Sequence, residues 1–409
     1  MALITRAQRD QDFCVFIGRF QPLHTSHMRV MIRALEAAEY LIIVIGSAKA
    51  ARRPDINPFT DGERETIIRD ALRETLGNDE GLERVRFLRA EDSDFNTPDW
   101  AERIYSGVKE IANDVVEDRR RDNNVRNERD PKLFETGEDA RISLIGHAKD
   151  KSSYYLRLFR QWNSIETGNF RNISATDIRR DYFSADSEVV DRMFERAITD
   201  DLLHVSTINW MRSFQKTEHY AYLINEQKFA DKARAVWTKE SWPDCRNTVC
   251  GDAMIHQGGY VLLIKRAQAP FKDLWALPGG HKEITETVLE CALREGYEET
   301  AIKVPRTVFE RSLVAQDYFD APHRDPRGCY ISHVFLFNLV PPVPVYDTTK
   351  SDAENRRRVK DALALPKVKG MDDAAQAKWW HVSEITRPMM AFDHYSVIRK
   401  MITRLPAGN

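Results

Sequence analysis

At 409 residues the chain is too long for one ordinary hydrophobic core, so two domains are expected. With 42% hydrophobic and 30% charged residues it reads as globular, and a net charge of −2 excludes a global field that would recruit nucleic acid. No apolar run reaches membrane-spanning length, residues 1–13 lack a signal-peptide core, and five cysteines, few and odd in number, point to a reducing cytoplasm rather than a disulfide framework.

In chain order, residues 13–17 and 41–45 are short apolar runs ending at glycine, which predicts strands. Residues 84–88 are a further strand candidate, and 142–145 another run ending at glycine. Helices are predicted near 28–38, 62–75, 100–116 and 152–162, so strands and helices alternate as in a parallel sheet with right-handed crossovers. The highly charged stretch 117–141 reads as a surface excursion. A helix over 218–237 follows, and Ser241-Trp242-Pro243-Asp244 then breaks the pattern. Residues 1–235 are therefore expected to form one domain, 236–243 a linker and 244–409 a second domain. In the second half, strands at 248–255, 260–265 and 330–339 surround a helix within 283–300, while 340–345 and 348–360 read as loop. There is no internal repeat, and Cys245 and Cys250 lack the further ligands of a zinc site.

After the first predicted strand comes Gly18-Arg19-Phe20-Gln21-Pro22-Leu23-His24-Thr25-Ser26-His27. A glycine leaves the strand, a proline sets a turn, and histidines three apart open a helix on one face. A helix N-terminus offers free N–H groups and positive dipole to phosphate. Ile173-Ser174-Ala175-Thr176-Asp177-Ile178-Arg179 reads as a second cradle, with Ser174 capping a helix that carries Thr176 and Arg179. Gly18, Gly46-Ser47, residues 94–100 and Gly146-His147-Ala148-Lys149-Asp150 each follow a predicted strand. All would emerge at the carboxyl edge of one parallel sheet, where open α/β folds bind ligands. The chain has no GxGxxG and no Walker lysine motif, which argues against a dinucleotide dehydrogenase or a P-loop enzyme.

These segments resemble the HxGH nucleotidyltransferase superfamily and, within it, the nicotinamide mononucleotide (NMN) adenylyltransferases. Asn57-Pro58-Phe59-Thr60 with Glu63-Arg64, and Lys149-Asp150-Lys151-Ser152-Ser153-Tyr154-Tyr155, extend the likeness. Ser26 stands where the motif has glycine; it is small and suits a helix start, so the phosphate pocket is expected to survive. The resemblance implies a Rossmann-like nucleotidyltransferase domain in which the NMN phosphate attacks the α-phosphate of ATP in line and pyrophosphate leaves. Such chemistry needs alignment and charge more than covalent help. It implies catalytic roles for His24, His27 and Arg179, and ATP or phosphate binding by Gly18, Arg19, Phe20, Lys149, Ser174 and Thr176. Asn96 and Trp100 would take NMN, with the cationic pyridinium stacked on the indole.

Residues 283–300 contain no proline, and Leu289, Leu293 and Tyr297 recur every four positions as an apolar helical stripe. Glu295, Glu298 and Glu299 fall at i, i+3 and i+4 on roughly the opposite face, where like charges repel. Hard carboxylate oxygens so placed suit Mg2+, or Mn2+ in its stead. Pro278-Gly279-Gly280 allows a tight turn and close approach to a substrate, and Arg294 is expected to tie that loop to the helix through Glu286.

The register from Gly280 through Glu286 and Arg294-Glu295 to Glu298-Glu299 resembles the Nudix box of diphosphate hydrolases. The likeness implies an α/β/α sandwich with a mixed sheet, metal held by Glu295, Glu298 and Glu299, and catalytic roles for the last two. Two positions depart from the pattern: Gly296 stands in place of an aliphatic residue and Ala301 in place of glycine. The first is expected to loosen the helix by roughly 0.5–1 kcal/mol. Residues 319–328 resemble a substrate loop of ADP-ribose-cleaving relatives, which implies that Arg324, Arg327, Gly279 and Gly280 meet ADP-ribose and that AMP and ribose 5-phosphate are released. Asp372 and Asp373 are candidates for the general base.

Together the likenesses span nearly the whole chain and are to the fused, bifunctional type. The partners implied are the small molecules ATP, NMN, NAD and ADP-ribose, with no nucleic acid and no membrane. Three alternatives stay open at this point: a Nudix half that only senses a ligand, a Nudix half acting on another dinucleotide, and an adenylyltransferase using a flavin or pantetheine phosphate.

Overall fold

The structure is a computed structural model that describes residues 11–77, 79, 81–92, 97–126, 140–146, 158–168, 173–237, 247–340 and 347–406. It divides into two compact units, Met1–Gln227 and Lys228–Asn409. The dividing point falls within a helix that runs Glu218–Trp237. Among the described residues, no helix is long and apolar enough to cross a membrane.

In the first unit, β1 (Gln11–Gly18), β2 (Ala38–Ile45), β3 (Val85–Arg89), β4 (Ile142–Gly146) and β5 (Asn163–Glu166) form one parallel sheet in the order β3-β2-β1-β4-β5. Alternate side chains of the inner strands face opposite layers, as the strand period requires. Cys14, Phe16, Leu41 and Ile43 pack with α1 (Thr25–Ala37) and α2 (Asp61–Leu76) through Met31, Leu35, Ile68 and Leu72. Phe13, Val15, Ile42 and Val44 pack on the other side with α3 (Thr97–Arg126) through Ile104, Val108 and Val115. Helix α2 is fixed at both ends: Thr60 and Glu63 form a reciprocal capping box, and Gly77 ends it at φ 72°. Helices α4 (Ala175–Tyr182), α5 (Ser187–Thr199) and α6 (Val205–Phe214) gather around a separate apolar cluster of Tyr182, Phe183, Phe194 and Phe214, and α7 (Glu218–Trp237) follows.

In the second unit, β6 (Thr248–Gln257), β7 (Tyr260–Arg266), β8 (Trp275–Ala276), β9 (Gly279–His281), β10 (Leu313–Phe319), β11 (Tyr330–Asn338) and β12 (Ala374–His381) make a mixed sheet. Its main path is β10-β11-β6-β7-β12; only the β6–β11 pairing is parallel, while β8 joins β7 and β9 joins β6. On one face Ala253, Ile255 and Leu262 pack against Ala292 and Leu293 of α8 (Val288–Thr300). On the other, Met254, Val261 and Leu263 pack against Val397, Ile398 and Met401 of α11 (His394–Ile402). This alternation produces the α/β/α sandwich. Helices α9 (Arg306–Ser312) and α10 (Asp352–Leu363) complete the unit.

Several local expectations are corrected. Residues 117–126 continue α3 rather than leaving it, because the charged run contains no breaker and Glu117 pairs with Arg121 one turn on. Residues 352–363, expected mostly as loop, form α10, nucleated by a capping box between Ser351 and Glu354. The helix expected over 152–162 is a turn in its described part, 158–162, and leads into β5. The remainder of that segment, and the loop expected at 340–345 beyond its first residue, lie outside the described residues.

Candidate functional site

Each unit carries one candidate site. In the first, the carboxyl edge of the sheet is built around the turn after β1. Gly18 is required there, since a Cβ would meet the Phe20 ring at 2.7 Å, and Phe20 itself turns the chain at φ 51°. Gln21 donates to Phe59 O and accepts from Phe59 N, which pins the turn to the Asn57–Thr60 segment. His24 caps α1, and the rings of His24 and His27 stack with centroids 3.5 Å apart. His24 N donates to His27 Nδ1 at 3.3 Å. Burial, with His24 alongside, holds His27 well below the usual imidazole range.

Two buried guanidiniums hold this edge together. Arg64, 1% exposed, donates to the carbonyls of Arg19, Gly46, Ser47 and Thr60. Arg179 donates to Asp55 O, Gln21 O and Thr176 Oγ1. Both are lowered to about 10, chiefly by burial and in part by Arg19, against the opposite pull of Asp61 and Asp92 on Arg64 and of Asp55 on Arg179, so three guanidiniums crowd one turn. That crowding favours an anion. Ser174 caps α4, as expected, by accepting from Asp177 N, and Arg179 on that helix reaches Gln21 O of the turn before α1. Arg179, expected to face phosphate, has its donors engaged by protein oxygens. Half-buried Trp100 lies in the first turn of α3, tilted on Phe159 at 6.2 Å. Asn96 and Lys149 lie outside the described residues.

In the second unit, a cleft of about 410 Å³ opens above β6, β9 and α8. The two glycines are there because carboxylates stand where side chains would be. A Cβ on Gly279 would meet Asp252 Oδ1 at 2.0 Å, and one on Gly280 would meet Glu295 Oε1 at 2.2 Å. Arg294 donates to Glu286 through Nε and Nη2, and through Nη1 to Glu295 at 2.8 Å and Glu298 at 2.9 Å. This confirms the expected tie to Glu286 and holds Glu286 down at about 2. Glu299 does not lie opposite the buried face of the helix, as the spacing suggested, but is 5% exposed, with Oε2 accepting from Gly279 N at 2.9 Å. The buried stripe of α8 is Cys291, Ala292, Leu293, Gly296, Glu299 and Thr300, while Leu289 and Tyr297 are only partly covered.

Burial raises Glu299 to about 8 and Asp252 to about 6, and it also raises Glu295. Asp252 Oδ2 is buried and has no hydrogen-bond partner among the described residues. Buried acids of this kind fit a divalent cation, which would restore their ionised form. Among the described residues, no three acidic, histidine or cysteine side chains already stand at metal-ligand spacing, because Arg294 draws Glu295 and Glu298 to itself.

Arg324 and Arg327 line the same cleft, each with a carboxylate partner. Arg324 makes a two-pronged pair with Asp393 at 2.6 and 3.0 Å, and Arg327 pairs with Asp325 at 2.7 Å with its guanidinium over the Tyr330 ring. Asp372 and Asp373 also line it. Sequence reasoning missed Asp252, Arg266, Phe392 and His394 on the cleft wall. One signal existed: Asp252 is a charge inside the apolar run of β6. His394 is buried, accepts from Leu277 N through Nδ1 at 2.9 Å, and is lowered to about 3 by burial and by nearby Arg324 and Arg266.

Comparison with known proteins gives two family matches: a cytidylyltransferase-like profile over residues 15–181 and a NUDIX domain over 249–401. The chain is 30% identical to the nicotinamide/nicotinic acid mononucleotide adenylyltransferase of Acinetobacter baylyi over 55% of this chain and 98% of that protein. It is 33% identical to an ADP-ribose pyrophosphatase of Methanocaldococcus jannaschii over 37% of this chain and 70% of that protein. A crystal structure of a bifunctional NMN adenylyltransferase/ADP ribose pyrophosphatase from Francisella tularensis, complexed with AMP and a manganese ion, matches with a TM-score of 0.72 at 28% identity. That likeness covers 96% of this chain and 99% of the other.

Proposed function

Because the chain belongs through its first half to the nicotinamide/nicotinic acid mononucleotide adenylyltransferases and through its second to the Nudix ADP-ribose pyrophosphatases, we propose one two-site enzyme of NAD metabolism. The first site joins NMN to the AMP moiety of ATP, giving NAD and pyrophosphate. The second hydrolyses ADP-ribose to AMP and ribose 5-phosphate. The observation that carries the second assignment is the meeting of Gly279, Gly280 and the acids of α8 in one cleft.

At the first site, His24 and His27 face the phosphates of ATP and the charge that develops as pyrophosphate leaves. Gly18 and Phe20 shape the turn that lets backbone approach those phosphates, and Arg19 with Lys149 supplies charge. Ser174 and Thr176 hold the phosphate tail, and Arg179 acts from below by holding the Gln21 and Asp55 carbonyls in place. Asn96 and Trp100 receive NMN. At the second site, Glu295, Glu298 and Glu299 hold a divalent cation, magnesium by preference. When bound, that cation neutralises the diphosphate and lowers the pKa of an attacking water. Gly279 and Gly280, with Asp252 and Glu295 in place of side chains of their own, bring backbone up to the diphosphate, and Arg324 and Arg327 line its path. Asp372 or Asp373 takes the proton of the water. Free Cys14, Cys250, Cys291 and Cys329 suit a cytoplasmic enzyme.

Incubating the protein and magnesium separately with ADP-ribose, NAD and diadenosine polyphosphates is expected to yield AMP and ribose 5-phosphate from ADP-ribose alone. Glu298→Gln should abolish that hydrolysis while NAD synthesis from ATP and NMN continues; unchanged hydrolysis would reject the site. A purely sensing Nudix half is disfavoured because each of the expected metal glutamates is present.

A further inference from the structure

One acid on the cleft wall has no part in the reaction so far. Asp252 comes from β6, on the strand side of the cleft, and is 5% exposed. Arg324, Ser332 and Arg266 lie near enough to favour its charged form, yet Oδ2 has no hydrogen-bond partner among the described residues. A buried carboxylate oxygen left unpaired is costly, so a positive group is expected to meet it. Arg324 does not donate to it in this structure: Nε and Nη2 go to Asp393, and Nη1 goes to Ser332.

The position of Asp252 says what that group is. Gly279 of β9 pairs directly across from Asp252, close enough that a Cβ would strike its carboxylate. Glu299 reaches the same glycine from the helix side, accepting from Gly279 N. Asp252 and Glu299 therefore meet at one glycine, Asp252 where its side chain would stand and Glu299 at its N–H.

We propose that Asp252 is a fourth carboxylate of the cation site, facing from the strand side the divalent ion held by Glu295, Glu298 and Glu299. This rests on the reading of the cleft as a metal-dependent diphosphatase site. Hard cations gain from each added carboxylate oxygen, and β6 is a stiffer support than a loop.

The test is a Mn2+ titration of the metal-free full chain, followed by the electron paramagnetic resonance signal of free Mn2+. Asp252→Asn, with an unchanged near-ultraviolet circular dichroism spectrum, should weaken Mn2+ binding about tenfold or more. Asp252→Ser serves in its place if the amide variant does not fold. Wild-type Mn2+ affinity in the Asp252 variant, alongside lost affinity in Glu295→Gln, would overturn the proposal and leave Asp252 as a counter-charge for Arg324. Wild-type affinity in both variants would overturn the reading of the cleft itself, and the proposal with it.

Discussion

Arg64 is a buried charge whose side-chain hydrogen bonds go to carbonyls. Its guanidinium is held by four carbonyl dipoles, while Asp61, Asp92 and Glu63 act on it through space. Arg179 repeats the device, and the exposed Arg19 between them gains from any anion that arrives. In the other unit the informative residue is His394, whose ring is kept neutral by burial. Its ordinary value is 6.5 and its folded value about 3, so the unfolded chain binds a proton that the folded chain refuses. The stability this residue contributes is therefore present above 6.5 and is lost as pH falls toward about 3. Melting curves of the full chain between those limits should show a progressive loss. His394→Asn, which keeps an acceptor for Leu277 N, should flatten it; an equal slope in both proteins would remove His394 as the cause.

At the scale of elements, α8 shows what was and was not legible. The register of its acids could be read directly, because ligand spacing on a helix is a sequence property. Burial could not: Glu299 faces the sheet because Gly251 lets α8 sit down on β6, where a Cβ would meet Val288 O at 2.5 Å. The two departures from the box now have a structural reading. A Cβ at Gly296 would meet Ala253 and Ile255 no closer than 3.7 Å, an ordinary contact. Ala301 ends the helix in the left-handed region at φ 48°, where glycine is at ease. Gly296→Ala is expected to stabilise the chain by about 0.5–1 kcal/mol and Ala301→Gly by about 1 kcal/mol, both measurable in urea titrations. Charge runs misled in the other direction. Residues 117–126 and 352–363 are helical because capping and i,i+4 pairing outweigh high polarity.

For the molecule as a whole, the alternation of elements in the first half and the box in the second were enough to indicate a parallel sheet and a mixed one. The later helices and edge strands, such as α6, β10 and β12, went unread, because their apolar residues gain meaning only from the layer they cover. Since each unit closes its own core, calorimetry is expected to need two transitions rather than one. Mn2+ in the absence of nucleotide should raise one of them and leave the other in place; a single transition that shifts as a whole would refute independent units.

Arg294 carries a last consequence, which concerns order in time. By holding Glu295 and Glu298 of the helix together with Glu286 just before it, it gives these acids a resident counter-ion made of protein. A newly made chain can therefore assemble this helix before any cation reaches it, and loading becomes an exchange of partners rather than a condition of folding.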